Sequence, residues 1–120
     1  MDSKIDFLLF QAGGVKWGIQ LEMVRGIGQR TEGRIPLVSL AKRLKLPSEG
    51  DRKRQEVVVM DTTKGLIGLL VDQVDRIVKL QPGKHIFPLP RLIRSKKRED
   101  WIWGVAQVEE ELILLLEPED

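Results

Sequence analysis

Hydrophobic positions along this chain fall in short alternating or continuous runs, punctuated by glycine, proline and charge, and that spacing belongs to strands. Ile5, Phe7 and Leu9 alternate with Asp6 and Leu8 before Phe10. Ala12-Gly13-Gly14 then supplies a turn for Val15 to Gln20 to return antiparallel, which predicts a first hairpin. Val57, Val58, Val59 and Met60 make a β-branched, buried-type strand, Asp61-Thr62-Thr63-Lys64-Gly65 reverses it, and Leu66 to Val74 is the expected return. Trp101, Trp103, Val105 and Val108 mark a third outgoing strand with Gly104 in its middle. Glu109-Glu110-Glu111 is its polar turn, and Leu112 to Leu116 comes back.

Between the hairpins the pattern is less regular. Met23, Val24 and Ile27 sit at three- and four-residue spacing, but Gly26 and Gly28 follow at once, so Leu21 to Ile27 is expected to form one helical turn at most. Arg34 to Val38 reads as extended around Pro36. Leu37, Leu40, Ala41 and Leu44 share one helical face, Lys42, Arg43 and Lys45 lie opposite, and Ser39 is placed to cap a short amphipathic helix. Leu46 to Gln55 carries Pro47, Gly50 and a charge run with little to bury, which predicts a surface loop. Asp75 to Leu80 alternates weakly, Gln81-Pro82-Gly83-Lys84 turns, and Pro88 and Pro90 confine the next segment to a loop or a sheet edge. Three hairpins and one short helix predict a mainly β fold, an antiparallel barrel or a pair of small barrels, within a single domain spanning residues 1–120.

Composition narrows the function classes. The chain has 120 residues, enough to bury roughly 60–70% of its unfolded surface. No apolar run approaches the roughly 20 residues of a spanning helix, and Met1-Asp2-Ser3-Lys4 has no basic, apolar and cleavage-site sequence, so neither membrane insertion nor export is expected. The absence of cysteine removes disulfides, thiolate metal sites and a cysteine nucleophile, and fits a cytoplasmic address. The lone His85 has no histidine or cysteine with which to share a metal. No nucleophile-elbow, phosphate-loop or dinucleotide motif is present, so the reading is non-enzymatic, with no catalytic residue, metal or cofactor. Asp72, Asp75 and the three turn glutamates read as solvated carboxylates.

Twenty basic against eighteen acidic side chains leave a formal charge of +2, so attraction to nucleic acid would have to come from clusters. Lys42, Arg43 and Lys45, Arg52 to Arg54, and Arg91 to Arg98 supply such clusters, which makes a small basic barrel that binds RNA or other nucleic acid the alternative function. Aromatic stacking positions are not interleaved with most of these runs: only Trp101 and Trp103 adjoin one, and on a single strand face they would serve equally as core.

The order of several short motifs resembles the CheW-like domain family. In the second half these are Gly68-Leu69-Leu70-Val71-Asp72-Gln73-Val74, Pro88-Leu89-Pro90, Trp103-Gly104-Val105-Ala106 and Leu112 to Leu116. In the first half they are Phe7 to Gln11, Trp17-Gly18-Ile19, Val24-Arg25-Gly26-Ile27 and Ile35 to Leu40. The resemblance implies two small SH3-like barrels packed on a common core. It also implies a non-catalytic adaptor that links the regulatory domain of a chemotaxis-type histidine kinase to the tip of a methyl-accepting receptor, by way of a groove that includes Val24 and Gly104. The chain departs from the family between Val24 and Pro36. A strand ending in Arg-Gly is missing there, Glu32 before Gly33 stands at the groove arginine, and Gly26 takes an acidic position. These departures fall on the receptor arm and reduce the first barrel. They leave an edge around Gly26, Glu32 and Gly33 that is expected to bind a partner, with a homodimer or strand swap as one outcome.

Overall fold

In a computed structural model, which describes residues 3–29, 35–43, 55–63, 65–89 and 101–117, the hairpins form as their patterns predict. Strands β1 (Ile5–Ala12) and β2 (Val15–Gln20) pair antiparallel around Gly13 and Gly14, whose φ values of 62° and 76° are the left-handed geometry that a two-residue hairpin turn demands. A 3-10 turn, Leu21–Met23, leads to β3 (Val24–Gln29). Then come β4 (Leu37–Ser39), helix α1 (Leu40–Arg43), β5 (Glu56–Thr62), β6 (Gly65–Val71), β7 (Gln73–Leu80), β8 (Ile86–Pro88), β9 (Ile102–Val108) and β10 (Glu111–Leu116).

These strands build two sheets. One has six strands in the order β7-β1-β2-β10-β9-β8, with β2 and β10 parallel and the other pairs antiparallel; the other has four, in the order β3-β5-β6-β4. On one face of the six-stranded sheet Phe7, Leu9, Leu80, Ile86, Ala106, Ile113 and Leu115 converge from five strands, so that sheet curls around a core of its own. On its other face Leu8, Phe10, Trp17, Ile19 and Leu116 meet Val58, Met60, Ile67 and Leu69 of the four-stranded sheet, with Leu40 and Trp101. The middle strands are thus covered on both faces, and this is why Phe7 to Phe10 is an unbroken buried run where a one-sided strand would alternate. Trp17, 1% exposed, keeps its indole N–H satisfied by donating to the Ala12 carbonyl at 3.1 Å.

Four expectations change. The segment Val24 to Ile27 is a strand paired with β5, because Gly26 and Gly28 give a helix little support while β5 offers a full ladder. Leu37 leaves the expected helical face: with Val38 and Ser39 it continues the extended segment around Pro36 as a strand parallel to β6. The helix starts only at Leu40, and the Ser39 hydroxyl accepts from the Lys42 N–H at 3.3 Å, as the cap reading anticipated. Leu66 to Val74 is not one return strand: it breaks at Asp72, so that β6 completes the second hairpin while β7 crosses to pair with β1 in the other sheet. Finally, Trp101 and Trp103 do not share a face. A register shift between Leu115 and Leu116 sends Trp101 into the inter-sheet core and Trp103 into the other, where it stacks on Phe7 at 6.4 Å. The mainly β class and the short helix stand.

Candidate functional site

Among the described residues the chain passes from one sheet to the other at two places, the second held by specific polar contacts. At the first, Leu21–Met23 links β2 to β3. At the second, Asp72 occupies the break between β6 and β7: its carboxylate accepts from the Gly13 N–H at 2.9 Å, and its own N–H donates to the Gln11 carbonyl at 2.8 Å. A side chain that read as a solvated acid is therefore half-buried and ties the crossing to the first hairpin turn. The signal that could have found it is the single acid interrupting the run from Leu66 to Val74, although an exposed turn would look the same. Nearby the Val74 N–H donates to the Glu56 carboxylate, so the opening of β5 is joined to the opening of β7.

Val24 and Gly104 lie in different sheets. Val24 is half-buried, packs against the inter-sheet core and precedes a bulge in the β3–β5 ladder. Gly104 is buried in β9, between Leu115 and Pro88 in the ladders, and a Cβ there would stand 3.0 Å from the Phe87 carbonyl oxygen. β8 thus runs close beside Gly104, and its Phe87 is 42% exposed. Gly26 lies in β3 with open space where a side chain would project, while Glu32 and Gly33 lie outside the described residues. An open cleft of about 480 Å³, lined by Lys4, Ile5, Asp6, Gln20, Leu21 and Glu22, sits beside the first crossing. Its lining joins the exposed charges of Lys4, Asp6 and Glu22 to half-buried Ile5 and Leu21.

Catalytic and metal chemistry finds no framework among the described residues. No group of three His, Asp or Glu side chains is placed to hold a metal, and the His85 Nδ1 accepts from the Gln81 N–H at 3.0 Å, which makes it part of a turn. Among the described basic side chains, Lys16 pairs with Glu111, Arg25 with Asp61, Arg76 with Glu109 and Lys79 with Asp6, and Arg43 lies over the Trp101 ring at 4.9 Å. The runs Arg52 to Arg54 and Arg91 to Arg98 lie outside the described residues. No described helix is long and apolar enough to cross a membrane.

Comparison with known proteins agrees with this geometry. The model of the CheW-like domain family matches residues 31–120. The crystal structure of the scaffolding protein TtCheW from Thermoanaerobacter tengcongensis superposes with a TM-score of 0.82 at 16% identity, over 99% of this chain and 88% of that one. The paired SH3-like barrels on a common core are thus present in both. No curated protein matches by sequence.

Proposed function

This chain belongs to the CheW-like domain family, and from that premise we propose that it is a non-catalytic, cytoplasmic adaptor coupling a chemotaxis-type histidine kinase to chemoreceptors or related signalling proteins. The observation that carries the proposal is the family match over residues 31–120, to which the fold adds two sheets bridged by a fixed crossing. The adaptor acts as a single domain, with residues 1–120 presenting one docking body. The groove proposed for it includes Val24 of β3 and Gly104 of β9, beside which β8 presents the exposed Phe87. Kinase docking is the stronger arm. Receptor docking is weakened because Glu32 and Gly26 replace groove groups of the family and a strand is missing between Val24 and Pro36.

The test is calorimetric titration with the regulatory domain of a chemotaxis-type histidine kinase from the same source, followed by a receptor-tip fragment. Saturable binding of the kinase domain, lost in Phe87→Ala or Val24→Lys, supports the adaptor. Binding of neither titrant sinks the coupling function while leaving the fold intact.

A further inference from the structure

Among the described residues the two sheets end on four edge strands, β7 and β8 in one, β3 and β4 in the other. An edge exposes a row of unpaired N–H and C=O groups, and proteins that keep such edges single make them short, interrupt them with proline or charge them. Three of the four edges follow that rule. β4 has three residues and comes directly after Pro36, whose carbonyl is already bonded to the Gly68 N–H at 2.8 Å. β8 has three residues and ends in Pro88. β7 is longer and its Ile77 is 54% exposed, but it carries three exposed charged residues, Asp75, Arg76 and Lys79, where β3 carries one, even though Arg76 and Lys79 lean on Glu109 and Asp6.

β3 does not. It has six residues, Val24–Gln29, and no proline. Its one charge, Arg25, is turned back onto the protein, donating to Asp61 at 3.1 Å and to the Glu22 carbonyl at 2.8 Å. Ile27 stands opposite Val58, which is fully buried, so it belongs to the core-facing side of the sheet, yet it is 49% exposed. On the other face Gly26 and Gly28 present bare backbone with nothing within 4 Å of where a Cβ would be.

We propose that β3 is a homodimer interface, on which a second copy of this chain pairs antiparallel about a two-fold axis at Ile27 and fuses the two four-stranded sheets. In that register each Ile27 covers the other, Gly26 faces Gly28 of the partner subunit, and Arg25 faces Gln29 of the partner subunit, so no like charges meet across the ladder. A second copy fits better than a charged peptide because the edge offers no free charge to attract one. Self-pairing satisfies the same backbone groups with no repulsion. The proposal does not depend on the adaptor reading.

The chain has no cysteine, so Ile27→Cys introduces a unique thiol. Directly opposed residues of an antiparallel pair have Cα atoms about 4.5–5.5 Å apart, inside the range a disulfide spans. Light scattering at about 0.1 mM, where a dimer with a Kd of about 10 µM is mostly associated, should give the mass of two chains for the wild type and of one chain for Ile27→Lys. Mild oxidation of Ile27→Cys should trap a covalent dimer. A wild-type mass of one chain overturns the proposal, and so does a dimer that persists in Ile27→Lys while Ile27→Cys fails to cross-link. Slow amide exchange across 24–29 in a monomer would place a segment of the same chain on this edge, and equally overturns it.

Discussion

Glycines at three buried positions set how closely neighbouring strands approach, and they differ in what a methyl group would strike. At Gly104 it would meet backbone, the Phe87 carbonyl at 3.0 Å, which cannot rotate away. At Gly18 it would meet the flexible ends of Leu115, Leu9 and Ile113 at 3.2–3.4 Å, and at Gly68 both the exposed Leu37 side chain at 2.6 Å and the buried, β-branched Val57 at 3.0 Å, which cannot swing away. Gly104→Ala and Gly68→Ala should therefore each cost about 1–3 kcal/mol in urea unfolding, with Gly18→Ala the best tolerated. If all three cost the same, the close approach of β8 to β9 is not what Gly104 serves. Asp72 gives a second residue-level prediction. Asp72→Ala leaves the buried Gly13 N–H without its acceptor and should cost about 1–3 kcal/mol, while Asp72→Asn keeps an acceptor oxygen and should cost clearly less. Exposed pairs such as Lys79 with Asp6, at 4.0 Å, should contribute about 0–1 kcal/mol and fade with salt.

Elements here are short and borrow their stability from packing. Helix α1, Leu40–Arg43 among the described residues, is anchored by Leu40, which is completely buried. Leu40→Ala should cost about 2–5 kcal/mol in the same assay, whereas Ser39→Ala, removing one exposed cap bond, should cost under about 1 kcal/mol. The three hairpins were legible because each pairs neighbours in sequence and carries its own turn chemistry, most plainly Gly13-Gly14. β3 and β7 were not, since their partners β5 and β1 lie far away along the chain. A weak local pattern such as Val24 to Gln29 becomes a strand only when a distant strand supplies the ladder. The candidate site was legible only in part for the same reason. Val24 and Gly104 could be named from motif order, but nothing local indicates that the Phe87 carbonyl closes on Gly104 or that Asp72 clamps the crossing.

At the scale of the molecule, β1 and β10 contribute buried side chains to both hydrophobic clusters, so neither core can empty without exposing the other. The chain should unfold in one cooperative step, with fluorescence, from Trp17 and Trp101 in one cluster and Trp103 in the other, tracking far-UV circular dichroism along a single denaturation curve. Two separated transitions would mean that the four-stranded sheet melts alone, and the single-domain reading would fail. The sequence by itself determined what depends on neighbours along the chain: the strand-rich class, the hairpin turns, the capped start of α1 and the lack of catalytic motifs. It also carried the motif order that the family match over residues 31–120 supports. Only the tertiary structure decided which strands share a sheet, which tryptophan enters which core, and which of four edges lies unguarded. These depend on contacts between residues far apart in the chain, and hydrophobic pattern records that a position is buried without recording against what.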